Sequence, residues 1–350
     1  MKIAVLVSGG VDSSVALHML TQQGYEVDAF YLKIWLEDEM SFLGVCPWEE
    51  DLRFAEKVCK QCAVPLHVVP LQKEYHESVV RYTIDAVRQG LTPNPDMLCN
   101  REVKFGAFYE KYGRDFDKIA TGHYAQVVER KDGLVDLMCA PDPVKDQTYF
   151  LALMRQEQLQ RALFPIGHMQ KSDVRAYAEK YDLATAKRKD SQGICFLGKI
   201  SFHDFVKAHL GVQSGVFVEK ETGKELGTHE GFYFYTIGQR RGIEIDNGPW
   251  YVCDKDVSKN IVYVTHGYTG ADQRKDQCDV QGINWISGGP QKKDLRVKLR
   301  HSEVFYECSV IATGENAAHV QLTQKDQGIT PGQYAVFYDD KKCLGGGVIV

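Results

Sequence analysis

Residues 3–14 read Ile-Ala-Val-Leu-Val-Ser-Gly-Gly-Val-Asp-Ser-Ser. The opening apolar run has the length of a buried strand and is far too short to span a bilayer. Ser8-Gly9-Gly10 stops it, and residues 13–23 continue as a helix that Gly24 ends. Glycines at such a strand–helix junction permit a tight turn and the close approach of an oxyanion. The hydroxyls of Ser8, Ser13 and Ser14 and the free N–H groups of the first helical turn then donate to it. Asp12 is the acid expected where Mg²⁺ accompanies a phosphate. A capped strand–turn–helix junction with no ligand is the plainer reading, but the near absence of bulky side chains from Ser8 to Ser14 favours an anion site. Neither G-x-G-x-x-G nor G-x-x-x-x-G-K-[ST] occurs, which excludes those fingerprints of dinucleotide binding and γ-phosphate hydrolysis.

Outward from this loop, residues 27–34, 66–71 and 118–121 read as further strands, and 49–62, 72–89 and 101–112 as helices. Strands alternating with helices predict a parallel sheet covered on both faces, here an α/β nucleotide-binding domain over residues 1–200. Beyond a helix at 201–210 come the short runs GVFVEK, GFYFYTI, WYVCDKD, NIVYVTH, DLRVKLR, AAHVQLT and YAVFYD. Their spacing predicts antiparallel sheet or small barrels. The expected division is a small β-rich middle domain at 201–275 and an antiparallel β-barrel at 276–350.

The 350 residues carry 42 Lys plus Arg against 47 Asp plus Glu, a net charge of -5, so a nucleic-acid partner requires a local basic patch. With 44% hydrophobic and 25% charged residues the composition is that of a globular chain. The N-terminus resembles neither a signal peptide nor a membrane span, and a soluble cytoplasmic protein is expected. Ten cysteines without a secretion signal read as reduced thiols. Cys59 and Cys62 form a C-x-x-C on a predicted helix with no matching second pair, so packing is preferred over structural zinc or redox use, and no metal site is assigned.

Two cysteines stand in polar settings. Cys99 follows Thr92-Pro93-Asn94-Pro95-Asp96-Met97-Leu98, where the prolines argue against helix before Asp96 and Asn100 can cap a helix starting near Arg101. A thiol there is expected to ionise more readily. Cys195 lies in Asp190-Ser191-Gln192-Gly193-Ile194-Cys195-Phe196, after the basic run 187–189. A small hydrophobe in a minor core pocket is the bland reading of either. The segment 292–301 holds five Lys/Arg residues and one Asp, a candidate strip for phosphate backbone or simply a solvated strand face.

SGGVDSS resembles the pyrophosphate loop of the N-type ATP pyrophosphatases. TPNPDMLCN, ATGHYA, KDQTYFL, DSQGICFLG and TIGQRRG follow in that order. Together they resemble the tRNA-specific 2-thiouridylases over essentially the whole chain. Gln192 stands where that family often has Thr.

The resemblance implies ATP-dependent 2-thiolation of the wobble uridine in tRNAs for Lys, Glu and Gln. Uracil O2 is adenylated with Mg²⁺ present, and persulfide sulfur is then delivered to C2. It implies that Ser8, Gly9, Gly10, Val11, Asp12, Ser13 and Ser14 hold ATP phosphates, with Leu32 and Gly122 against adenine. Cys195 would carry the persulfide, and Cys99 would attack it to form a disulfide, freeing hydrosulfide or resolving the transferred sulfur. Asp96 would act as acid or base, which at neutral pH requires burial to raise its pKa. Asn94, Pro95, Asp96, His123, Lys145, Asp146, Gln147, Arg300, His301 and Gln333 would contact tRNA, whose target base is flipped from its stack. The middle domain would face the tRNA and the barrel assist in binding it. A cysteine desulfurase or a relay protein would supply sulfur to a monomer. Another adenylating enzyme would leave Cys99 and Cys195 idle, and a noncatalytic RNA-binding protein would bind tRNA without regard to ATP.

Overall fold

The computed structural model describes residues 1–34, 48–189, 201–266, 275–290, 292–326 and 329–350. β1 (Lys2–Leu6) leads through the glycine turn into α1 (Val11–Gln22), and β2 (Glu26–Lys33), α2 (Trp48–Cys62) and β3 (Leu66–Pro70) follow. β4 (Lys118–Ala120) precedes the hairpin β5 (Ala125–Glu129) and β6 (Val135–Cys139), and β7 (Ala162–Leu163) comes after it. The first sheet has the order β3-β2-β1-β4-β7 and is parallel throughout. β1 is central because Ile3, Ala4 and Val5 are all 0% exposed, the mark of a strand covered on both faces.

α2 buries Ala55, Val58, Cys59 and Cys62 at helical spacing against this sheet, while Glu49, Glu50 and Asp51 fill its first turn, where negative charge suits the dipole. Desolvation pushes the Cys59 and Cys62 thiols up, to about 12 and about 11.

Helix also runs through Gln72–Tyr75, His76–Val80 and Arg81–Arg88, then through Pro95–Leu98 and Cys99–Ala107. The second run begins before the start near Arg101 that the prolines suggested. Pro95 occupies its first turn, where a missing N–H costs nothing. Asn100 is therefore inside the run and does not cap it, and Cys99 lies a full turn beyond the helix start.

The middle region forms β8 (Gly215–Glu219), β9 (Glu225–His229), β10 (Trp250–Asp256) and β11 (Ile261–His266), in the order β10-β11-β8-β9. Each hairpin is antiparallel, but β8 and β11 pair in parallel. The chain crosses over between the hairpins, which puts one strand of each in the centre. The GFYFYTI run supplies that crossover instead of a strand: Phe232–Phe234 is a 3₁₀ turn with Phe232 and Tyr233 buried. A short apolar run does not distinguish the two by pattern alone.

β12 (Lys275–Trp285), β13 (Asp294–Lys298), β14 (Tyr306–Gly314), β15 (Ala317–Asp326), β16 (Tyr334–Asp339) and β17 (Lys342–Ile349) complete the chain. They run β12-β15-β14-β13-β16-β17, and β12 also pairs with β17, closing an antiparallel barrel. The β5–β6 hairpin leaves the N-terminal sheet and adds to β17, with Lys342 opposite Met138 and Cys343 opposite Leu137. No helix among the described residues is long and apolar enough to cross a membrane.

Gly345 marks the closing seam. Its φ is +125°, and a Cβ there would lie 1.8 Å from Asn284 O. Gly345→Ala is expected to cost about 3 kcal/mol of stability, read by urea denaturation. An unchanged midpoint would mean that β12 and β17 do not close on each other in solution.

Candidate active site

β2 and β3 lie on one side of β1 and β4 on the other, so the sheet reverses strand order at β1/β4. Open parallel sheets bind ligands outside the carboxyl ends of their strands at such a point, and the Ser8–Ser14 loop leaves β1 there. Gly9 has φ +73°, and a Cβ on it would sit 2.2 Å from Asp51 O, so only glycine lets α2 pack on the loop. Ser8 N donates to Ser13 Oγ at 3.1 Å, and the Ser13 and Ser14 hydroxyls donate to Gly10 O at 3.2 and 2.8 Å. The turn is held by its own hydroxyls, with the start of α1 aimed outward. Val11 is buried beneath it.

Leu32 and Gly122 flank this loop from the ends of β2 and β4. Leu32 is half-buried. A Cβ on Gly122 would lie 2.6 Å from Ser13 N, which shows how closely β4 approaches the first turn of α1.

Sequence spacing did not reveal the groups that meet Asp12. Lys171 Nζ lies 2.7 and 2.9 Å from the two carboxylate oxygens, and Tyr124 donates its hydroxyl to Oδ1 at 2.7 Å. Tyr124 sits inside the ATGHYA stretch, but nothing in sequence pairs Lys171 with a residue so distant in the chain. Arg188, from the basic run at 187–189, donates to Gly9 O at 2.7 Å and pairs with Asp51 at 2.5 Å. Its charge is met by Asp51 while its hydrogen bond holds the glycine turn.

A second cluster gathers around Tyr149 and Phe150. Asn94, at the N-cap position of the Pro95–Leu98 turn, hydrogen-bonds Tyr149, which donates to Tyr334 O of the barrel at 3.1 Å. Asp96 acts electrostatically on His301. His301 packs on Phe150 with ring centroids 4.5 Å apart, and its Nε2 lies 3.1 Å from Asp146 O. Cys99 is 3% exposed in the helix core, and Asn100 ties that helix down by donating to Phe150 O at 3.1 Å. Cys195 lies outside the described residues, as does Gln192.

His123 bonds Thr121 Oγ1 through Nδ1 at 2.8 Å, and its ring edge meets Phe164. Desolvation, with the Lys104 ammonium adding to it, holds the imidazole well below 6.5. Burial also lowers His301.

Asp146 was expected on an RNA-facing surface, yet it is 2% exposed and pairs with Lys298, itself 1% exposed, at 3.2 Å. Ala140 N and Thr148 Oγ1 donate to the same carboxylate at 3.1 and 2.8 Å. Gln147 accepts from Tyr124 N through its side chain at 3.0 Å and donates its own N–H to Tyr124 O at 2.9 Å. Lys145 N bonds the buried Asp142, which also accepts from the backbone of Lys171. Arg300 pairs with buried Asp326 at 2.9 Å. Gln333 is half-buried and bonds Thr330 and Ile349 through its backbone.

The 292–301 strip is therefore not a free basic patch. Lys292, Arg296, Lys298 and Arg300 already face Asp339, Asp340, Asp146 and Asp326.

Comparisons with known proteins give one consistent picture. Residues 1–199 match a family model described as tRNA methyl transferase HUP domain, 203–266 one described as tRNA methyl transferase PRC-barrel domain, and 275–349 one described as Aminomethyltransferase beta-barrel domain. The tRNA-specific 2-thiouridylase MnmA of Parabacteroides distasonis is 48% identical, over 100% of this chain and 99% of that one. Its counterpart in Porphyromonas gingivalis is 45% identical and tRNA-specific 2-thiouridylase MnmA 1 of Bacteroides thetaiotaomicron 44%, each over 100% of this chain and 99% of the other.

Two outcomes follow from this geometry. Lys298→Met strands the Asp146 charge and is expected to cost about 3–5 kcal/mol. Adding Asp146→Asn should recover part of that loss in urea denaturation, and additive losses would show that the pair is not coupled. His123 remains neutral in the fold while the unfolded chain protonates near 6.5. The unfolded state then binds more protons below that pH, so stability falls as pH drops through it. His123→Gln should flatten the fall in unfolding midpoint between about pH 7 and about pH 5; an equally steep fall would assign the dependence to other groups.

Proposed function

The chain belongs to the tRNA-specific 2-thiouridylase family, an enzyme family of wobble-uridine 2-thiolation, and from that premise we propose that it thiolates the tRNAs for Lys, Glu and Gln. One hydrogen-bonded path carries this reading. It runs from Asp12 to Tyr124, through Gln147 to Phe150 N, and from Phe150 O to Asn100 beside Cys99. The path joins the loop to the helix that bears the buried Cys99 thiol, so one packed unit holds both groups that a two-stage reaction uses.

In the first stage the Ser8–Ser14 loop takes the ATP phosphates, with the adenosine between Leu32 and Gly122. Uracil O2 attacks the α-phosphorus, an O–P bond forms, and the α–β bridge breaks to release pyrophosphate. Asp12 is the carboxylate of the loop and would hold Mg²⁺ by exchanging its present partners Lys171 and Tyr124 for the ion. When bound, that ion offsets the charge of the leaving pyrophosphate. Lys171 and Arg188 bring fixed positive charge to the same turn.

In the second stage the terminal sulfur of a Cys195 persulfide reaches C2, and AMP departs with the former O2. The Cys99 thiolate then attacks the Cys195 sulfur, breaking its S–S bond to the base, which leaves as 2-thiouridine, and the Cys99–Cys195 disulfide is reduced by a thiol co-reactant. Asp96 manages protons at the flipped base. Asn94 and Pro95 shape the base pocket, with His123, neutral near pH 7, on its rim. His301 stacks on Phe150 beside them and is held by the Asp146 carbonyl. Lys145, Gln147, Arg300 and Gln333 supply the remaining RNA-facing surface. Asp146 serves by holding His301 and Lys298. Sulfur comes from a cysteine desulfurase or a relay protein, and the enzyme works as a cytoplasmic monomer with domains at 1–200, 201–275 and 276–350.

The test is mass analysis of nucleosides from unmodified lysine tRNA incubated with the protein, ATP, Mg²⁺ and a persulfide-generating desulfurase. The expected result is one sulfur in place of oxygen at the wobble uridine, lost with Cys195→Ser and with Cys99→Ser. Retention of thiolation in Cys195→Ser would remove the persulfide role. Absence of both thiolation and tRNA-dependent pyrophosphate release from the folded wild type would sink the proposal.

A further inference from the structure

The segment between Arg88 and Pro95 carries the chain into Asp96 and Cys99, and it is gripped from two other regions of the molecule. Gly90 turns the chain with φ +80° and bonds Val87 O through its own N–H. Lys255, on β10, reaches across from the middle region. Its Nζ donates to Gly90 O, and to Tyr235 O at 3.1 Å. A Cβ on Gly90 would lie 2.6 Å from the Val257 side chain, so the middle region packs directly on this turn.

The barrel holds the next residues. Thr92 N donates to Pro331 O at 3.0 Å. Gly332, at φ +89°, lies so close that a Cβ there would be 2.7 Å from Thr92 N and 2.8 Å from Leu91 Cβ. Two residues on, Asn94 bonds Tyr149, which is itself anchored on Tyr334 O. Pro93 and Pro95 follow the grips and lead into Asp96, and their rings fix φ and stiffen the strut. An ammonium largely withdrawn from water is costly unless its donors are met, and Lys255 is half-buried. Burial pulls Lys255 down to about 8, and the two carbonyls are the acceptors that keep it in place.

We propose that Lys255 of the middle region and the Pro331–Gly332 turn of the barrel are positioning residues that jointly set the placement of Asp96 and Cys99. Neither touches the reacting atoms. They act through Gly90 and Thr92 on a stiff connector, so both accessory regions complete the catalytic site by holding its entry strand. A displacement of about 1 Å at a reacting group can cost roughly 100-fold in rate, whereas neither grip is made to the Ser8–Ser14 loop, so ATP binding is expected to persist. The inference rests on the thiolation reading for the roles of Asp96 and Cys99.

The experiment is steady-state thiolation of unmodified lysine tRNA by the full chain. It compares wild type, Lys255→Met, Gly332→Ala, the double variant, and Lys220→Met, which removes an exposed pair with Asp254 and a contact with the Tyr263 ring in the same middle sheet. Each positioning variant is expected to lose at least about tenfold in kcat, with KM for ATP and for tRNA within about twofold. The double variant should lose much less than the product of the single losses, because both residues act on one segment. Lys220→Met should match wild type. Unchanged kcat in folded Lys255→Met and Gly332→Ala overturns the proposal. So do losses that multiply independently, or KM values that rise in step with a falling melting temperature. If Lys255→Met is recovered unfolded, Lys255→Gln takes its place under the same criteria. A wild type that does not thiolate defeats the underlying function, whereas an active wild type with unaffected variants defeats the positioning alone.

Discussion

The Asp146 carboxylate lies 2% exposed between the β5–β6 hairpin and the wall of the barrel, and its charge has to be met where it is buried. Lys298 from β13 meets it at 3.2 Å while Ala140 N and Thr148 fill its remaining acceptor positions. Separating such a pair leaves two desolvated charges, a penalty of several kcal/mol per ion. The barrel therefore cannot shift against the hairpin without large cost. The hairpin's own addition to β17 is only two residue pairs deep, Lys342 with Met138 and Cys343 with Leu137. The ion pair gives that short seam its register.

From this anchor the functional groups follow in sequence and in space. The Asp146 carbonyl receives His301, while the next residue, Gln147, grips both backbone groups of Tyr124. The Tyr124 hydroxyl in turn meets Asp12. Seating of the barrel and setting of the phosphate loop are thus parts of one polar network, and buried networks of this kind resist partial rearrangement because every unmet member is expensive. The middle and barrel regions also touch the connector at Gly90 and Thr92, just before the helix that carries Asp96.

Local chemistry made much of this legible. Ile3 to Val7 stopped by Ser8-Gly9-Gly10 dictates a buried strand and a tight turn, because the apolar run has nowhere else to go and Gly9, at φ +73°, takes a backbone that glycine favours. The alternation of elements in the first 200 residues implies parallel pairing, and the motif order carried the family. Other readings failed for identifiable reasons. Pro95 was read as a helix breaker, but at the first turn of a helix its missing N–H is harmless. GFYFYTI has strand composition yet forms a crossover, since burial of Phe232 and Tyr233 does not require a ladder. The basic strip at 292–301 was open to reading as a phosphate contact or a solvated strand face. Sequence could not show that Lys292, Arg296, Lys298 and Arg300 in it face carboxylates from elsewhere in the chain.

The sequence by itself determined the glycine turn after β1 and the parallel sheet around it, because short-range sterics and the period of apolar residues decide those, and its motif order pointed to the family. Only the tertiary structure decided that Lys171 and Tyr124 meet Asp12, that Asp146 is buried on Lys298, and that Lys255 and Gly332 close on the connector before Asp96. These pairings join residues more than 100 positions apart, and charge partners at such separations are chosen by how packed surfaces meet and desolvate one another. No local pattern records that choice.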